Sequence, residues 1–354
     1  MITQPFFNEP VYIKIVMKNP TKQPRRVKTV YAILASSLLI GLIIGCSSSD
    51  NGKDLPTSSS FNNLKITALN SLTQHFQFNT ADGYASFVSA KNVLISVDAS
   101  SLTLNGNPVT GQVDFEYVEI FDGGTMLITG KHTMGQMSDG NRSILVSGGE
   151  FYINATKNGQ QLELDGSVTL EIPTTLTDGD NGGNPDMTLW NLTENDSVWI
   201  EATNFNPAGA NGVELGTGQI ITNGPVYFAY INSFGWTNVD CFYADPRPRT
   251  TILASVPEGY DHLNSGVYLH YDGQGSALAQ LDTFDPTTNL FSEHYGQIPI
   301  GLECHVIFVT EFNGQWRYAI KPATVTNGAV YNFTLAETTV GSQAQLTAAI
   351  NALP

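Results

Sequence analysis

Basic side chains are scarce in this chain. Its 354 residues hold 16 Lys and Arg against 32 Asp and Glu, a formal net charge of −16. A surface this acidic repels nucleic acid and anionic lipid headgroups, so neither is expected as a partner of the folded body. Cysteine is rarer still, with three in all, at 46, 241 and 304. A stretch long enough to cross a bilayer as a helix is missing too: the apolar run Val30–Gly45 has sixteen residues, short of the roughly 20 that a span needs. Sustained 3.6-residue periodicity is absent from the body, which excludes a helical bundle. The reaction signatures HExxH, and GxSxG or SxxK in a strand–turn–helix setting, are likewise missing, so no catalytic motif points to an enzyme.

What is present begins at the N-terminus. Lys18, Lys22, Arg25, Arg26 and Lys28 precede the apolar run, and small residues end it. A basic block, a short apolar segment and a small-residue end are the parts of a secretory signal. Met17 stands just before the block, and a start there would give a more ordinary leader than residues 1–16 do. The run ends in Ile43-Ile44-Gly45-Cys46, which resembles the lipobox of bacterial lipoproteins, with Ile43 where that pattern usually has Leu. The resemblance implies cleavage of residues 1–45 and diacylglyceryl attachment to the Cys46 thiol. Two or more acyl chains hold a protein stably on a membrane where one does not. Ser47 after the cysteine implies transfer to the outer membrane, and Asp50 and Asp54 resemble surface-export signals. Residues 46–61, rich in Ser, Asp and Gly, are expected to form a flexible tether. Six of the basic residues and one acidic residue lie before Cys46, so the processed chain would carry 10 − 31 = −21 charges.

Beyond the tether, alternation with period two dominates. In GEFYINATKNGQQLEL, Phe151, Ile153 and Ala155 share a face, Asn158-Gly159 turns, and Leu162 and Leu164 continue it. VIFVTEFNGQWRYAI repeats the plan about Asn313-Gly314. The body holds seven Asn-Gly and six Asp-Gly pairs, the two-residue hairpin signals of antiparallel sheets. The expected fold is all-β: two antiparallel β-sandwich (Ig-like) domains, at 62–204 and 212–340, with loop-rich sequence near 173–215 between them. A short C-terminal helix is expected over 341–353, capped by Ser342, with Leu346, Ala349, Ile350 and Leu353 on one face. The segments GNPVTGQVDFEYVEIFDGGTMLITG and FGWTNVDCFY resemble parts of exported β-sandwich lipoproteins of Gram-negative bacteria. That resemblance supports fold and location and implies no activity.

Several residues are candidates for chemistry. With Cys46 lipidated, Cys241 and Cys304 remain as one possible disulfide, the alternative being two buried thiols. Asp178, Asp180, Asn184 and Asp186, with Gly183 at the sixth place, partly mimic a calcium loop; Leu189 stands where the bidentate Glu belongs, so calcium would bind weakly if the loop is more than an acidic turn. Otherwise no cofactor is expected. Six histidines are present, His75, His132, His262, His270, His294 and His305, and His270 shares a strand face with Asp272 two places on. A metal would need one more convergent group, which spacing alone does not supply. Trp236, in a Gly235/Asn238 bend, is the candidate for stacking on a ligand; core packing is the ordinary fate of Trp in a sandwich. The functional expectation is a lipid-anchored cell-envelope lipoprotein of binding or structural role, on the outer membrane at its periplasmic face or the cell surface, with a glycan or an envelope protein as partner. The alternatives are a carbohydrate-binding accessory lipoprotein and an envelope hydrolase acting on polysaccharide or peptide.

Overall fold

A helix stands where a tether and then the start of the first β-domain were expected. The computed structural model describes residues 55–177, 183–192, 198–202, 220–223, 225–293 and 296–354; the expected leader and Cys46 lie outside them. α1 (Ser58–Leu72) opens on a reciprocal cap, the Thr57 hydroxyl accepting from the Ser60 amide and the Ser60 hydroxyl from the Thr57 amide, each at 3.0 Å. Serine favours linkers, but it favours N-caps equally. Phe61, Leu64, Ala68 and Leu72 then recur at three- and four-residue intervals and pack inward. Residues 58–61 therefore leave the expected tether, and the segment expected to begin the first β-domain at 62 is helical. Among the described residues no helix is long and apolar enough to cross a membrane.

The described residues are mostly strand, 49% against 16% helix. The first sheet runs in the order Gln74–Asn79, Gln112–Ile120, Arg142–Lys157, Gly235–Phe242, Thr188–Leu192, Trp199–Glu201, Met134–Gln136. Met134–Gln136 also pairs with the start of Arg142–Lys157, so one end of the sheet closes on itself. That closed end encloses Leu145, Trp190 and Trp199. A five-stranded sheet, Ile220–Asn223, Val226–Ile231, Val168–Pro173, Leu94–Asp98, Tyr84–Val88, covers one face of the first. Between them lie Phe115, Tyr117, Phe151, Ile153, Ile95, Leu170 and Ala229. Strands after residue 212 thus pair with strands before 204, as Val226–Ile231 does with Val168–Pro173 and Gly235–Phe242 with Arg142–Lys157. The first layer pair extends to Phe242, past the loop-rich stretch.

The second pair of layers sets Leu278–Gln280, Ser265–Tyr271, Glu303–Phe312, Gln315–Thr324 and Thr339–Gly341 against a smaller sheet of Thr283–Asp285, Leu290–Ser292, Leu253–Ser255 and Val330–Asn332. Val267, Leu269, Cys304, Val306, Phe308, Ala254 and Phe291 fill the space between. The hairpins turn where Asn-Gly predicts: Asn158 and Asn313 sit at φ 50° and 52°, with glycine following at 75° and 76°. Asn313-Gly314 pairs Phe312 with Gln315, which sends Trp316 to the face opposite Phe308.

That opposite face is buried too, under helices. α2 (Gly123–Thr129) and α3 (Gln343–Asn351) join α1 in a layer that shares one core with both large sheets: Val118 and Ile120 from the first, Ile307, Val309 and Trp316 from the second, Phe61, Met126, Leu127, Leu346 and Ile350 from the helices. Phe61 meets Trp316 edge-on, centroids 6.1 Å apart. α3 starts at the Ser342 cap as expected, with Gln345 completing a capping box.

Candidate functional site

Strands Ser265–Tyr271 and Glu303–Phe312 are antiparallel neighbours, and their register sets His270 opposite His305. Val267, Leu269 and Tyr271 turn into the second core, so His270 points the other way, toward the helices. Asp272 follows two residues later on that same side. Its Oδ1 lies 2.7 Å from His305 Nδ1 and 3.6 Å from His270 Nδ1, and the three potential ligand atoms all fall within 4.8 Å of one another. The third group that the sequence could not supply is therefore His305. The His270 side chain is 2% exposed, against 13% for His305 and 19% for Asp272, so the cluster is sheltered but reachable. Burial lowers the pKa of His270, with the Asp272 charge opposing, a direction that favours the neutral imidazole a metal needs. Its Nδ1 has no hydrogen-bond partner among the described residues. His270 also lines a cleft of about 260 Å³ with Asp122, Thr177, Ser276 and Asn351, between the start of α2 and the end of α3.

A second cleft, of about 350 Å³, lies where α1 meets the first sheet, lined by Asn70, His75, Glu116, Tyr152 and Trp236. Trp236 is half-buried, whereas Trp190, Trp199 and Trp316 are each 1% exposed. Of the four tryptophans it alone lines this cleft; the other three are buried. Tyr152 lies 5.5 Å from it with the rings tilted by 47°, so the two do not form one flat platform. Lys131 Nζ sits 4.6 Å from the Trp236 centroid, a cation–π contact.

The expected Cys241–Cys304 disulfide does not form. The two residues lie in different sheets, Cys304 in the core between the second pair of layers and Cys241 at the margin of the first. Both flanks are strands, as read, but sequence did not show that the strands belong to separate sheets. Burial pushes the Cys304 thiol up to about 12. Of the calcium loop, Asp178 and Asp180 lie outside the described residues. The Asn184 amide is engaged locally: its Oδ1 accepts from the Asp186 N–H at 3.0 Å and its Nδ2 donates to Cys241 Sγ at 3.2 Å.

Sequence reading missed one further cluster. Opposite Ser147–Glu150 the ladder slips between Asn238 and Asp240, a bulge that turns two carboxyls inward. Glu150 and Asp240 are wholly buried. Desolvation pushes Glu150 up to about 8, with the Lys131 charge opposing. Desolvation likewise raises Asp240 well above the carboxylate range, with Glu150 adding to the effect. Glu150 is thus protonated near neutrality. Gly148-Gly149 just before Glu150 was the available signal, since paired glycines inside a strand mark bulges.

No family model and no curated protein matches this chain. Fold and geometry define a mostly-β body with a helical layer, a His–Asp–His cluster at one cleft and an aromatic cleft at another.

Proposed function

We propose that the chain is a lipid-anchored cell-envelope lipoprotein of the outer membrane, held through acylated Cys46 and acting by binding a glycan or an envelope protein. The observation that carries this is Ile43-Ile44-Gly45-Cys46 at the end of a sixteen-residue apolar run behind a basic block. The acidic excess beyond Cys46 supports it: a soluble body repelled by headgroups needs covalent lipid to stay at a membrane. Each of the two layer pairs is read as an Ig-like sandwich, on the strength of antiparallel pairing between its long strands. Metabolic labelling with a fatty-acid analogue tests the anchor. Wild type is labelled and sediments with membranes; Cys46→Ser loses both. Labelling that persists in Cys46→Ser sinks the proposal, and protease treatment of intact cells separates the cell surface from the periplasmic face.

A carbohydrate-binding accessory role is the second reading, favoured by Trp236 lining a cleft with Asn70, Glu116 and Tyr152. An aromatic face with amide and carboxyl groups around it suits a sugar's apolar face and hydroxyl rim. On a glycan array the protein binds a defined glycan and Trp236→Ala loses that binding. An array on which Trp236→Ala matches wild type removes the sugar reading and leaves a protein partner.

A further inference from the structure

We propose that His270, Asp272 and His305 form a binding site for a divalent transition-metal ion of the zinc type. Zinc bonds of about 2.1 Å at tetrahedral angles place ligand atoms about 3.4 Å apart. The donors here already lie within 4.8 Å of one another, with Asp272 Oδ1 at 2.7 and 3.6 Å from the two ring nitrogens. Small side-chain rotations close that set around one ion. The donors are two imidazoles and one carboxylate, which suit zinc and its neighbours and disfavour calcium and magnesium, which prefer oxygen throughout.

The independent sign is His270 Nδ1. It is buried, and no hydrogen-bond partner satisfies it among the described residues, although the strand that bears it is fully paired on the His305 side. Buried polar atoms left in that state are rare and ask for a partner. A metal ion supplies one for that atom and uses the Asp272 oxygen 3.6 Å away at the same time. Three protein ligands leave a zinc ion's fourth position to water or a small anionic ligand, the pattern of a site not closed for structure alone; of the three, His270 also lines the cleft with Asp122, Ser276 and Asn351. The competing arrangement is an Asp272–His305 hydrogen bond with His270 as a core imidazole, and it predicts no metal.

The inference is independent of the lipid anchor, and neither test bears on the other. Whole chain purified in detergent, stripped with chelator and dialysed, is titrated with Zn²⁺ by calorimetry and with Co²⁺ in the visible. One ion per chain, with ligand-field bands for a low-coordinate N/O set, is expected. Asp272→Asn and His305→Ala each weaken Zn²⁺ binding at least about 100-fold, while His75→Ala, at the other cleft, leaves it unchanged. Circular dichroism confirms that each variant is folded, and Asp272→Asn keeps the test alive if an alanine variant is not. Absence of binding by wild type, or binding that survives both Asp272→Asn and His305→Ala, overturns the site.

Discussion

Replacing Glu150 by Gln should leave this protein markedly less sensitive to alkaline pH. The Glu150 carboxyl is wholly buried and both of its oxygens lack hydrogen-bond partners among the described residues. Burial holds it at about 8 in the fold, against 4.5 in the open chain. Between those values the folded state keeps a proton that the unfolded state gives up, so stability is complete below pH 4.5 and is lost as pH rises toward 8. Each unit of that interval is worth about 1.4 kcal/mol. His132 runs the other way, since burial lowers it from 6.5 to about 4; its contribution grows up to pH 6.5 and is constant above. The clean window is therefore pH 6.5 to 8, where 1.5 units give about 2 kcal/mol. Asp240, also raised by burial, loses in the variant the part of its rise that Glu150 adds, which moves the difference in the same direction. Urea unfolding of the compact unit Asp54–Pro354 at the two pH values should show wild type losing about 2 kcal/mol more than Glu150→Gln. Parallel losses in the two proteins would mean that Glu150 is ionised in the fold, paired with a charge strong enough to hold it so.

Other outcomes follow from the same structure. In the native unit Asp54–Pro354, a thiol reagent at pH 8 reaches Cys241 before Cys304, and denaturant exposes both; denatured protein with no reactive thiol would restore the disulfide. Thr57→Ala should cost about 1 kcal/mol through the lost α1 cap, read as a shift in urea midpoint without a change in slope. Gly149→Ala should cost about 3 kcal/mol, because φ is +133° and an added Cβ would lie 2.6 Å from both Phe121 and Phe151. Gly111→Ala, at φ +90° with open space around it, should cost only about 1 kcal/mol, and equal costs at the two positions would show that the close approach is not felt.

Turns and strands could be read from the sequence because single residues decide them. Asn313-Gly314 takes left-handed angles that few other pairs tolerate, so its hairpin announced itself. Ser342 did the same for α3. α1 was hidden by its serines, which serve a linker and a cap equally well. α2 was hidden by Gly123-Gly124, which reads as a turn; the glycines are there because α3 lies against them, an added Cβ at 124 meeting the Thr347 backbone at 2.6 Å. That is a tertiary reason, invisible to propensity. The domain boundary followed loop composition, whereas pairing follows register, and register joined Val226–Ile231 to Val168–Pro173 across 52 intervening residues. His270 and Asp272 were visible as neighbours on one strand. His305 is 33 residues from Asp272, and only the pairing of two strands makes it their companion. The buried acids fell to the same limit, since a one-residue slip in a ladder reverses which side chains face inward.

The helical layer has a consequence for how the chain lives and dies. The three helices put their inner faces into a core shared by both large sheets, while outer residues such as Asn62 and Ile66 of α1 stay exposed, so neither half is a module that could be transplanted with its surface intact. Shaving the last turn of α3 would strip Ile350 from a seam that both halves share, and damage at one extremity would be felt at the other. Such a body should melt in a single cooperative step and be degraded whole, without a surviving fragment.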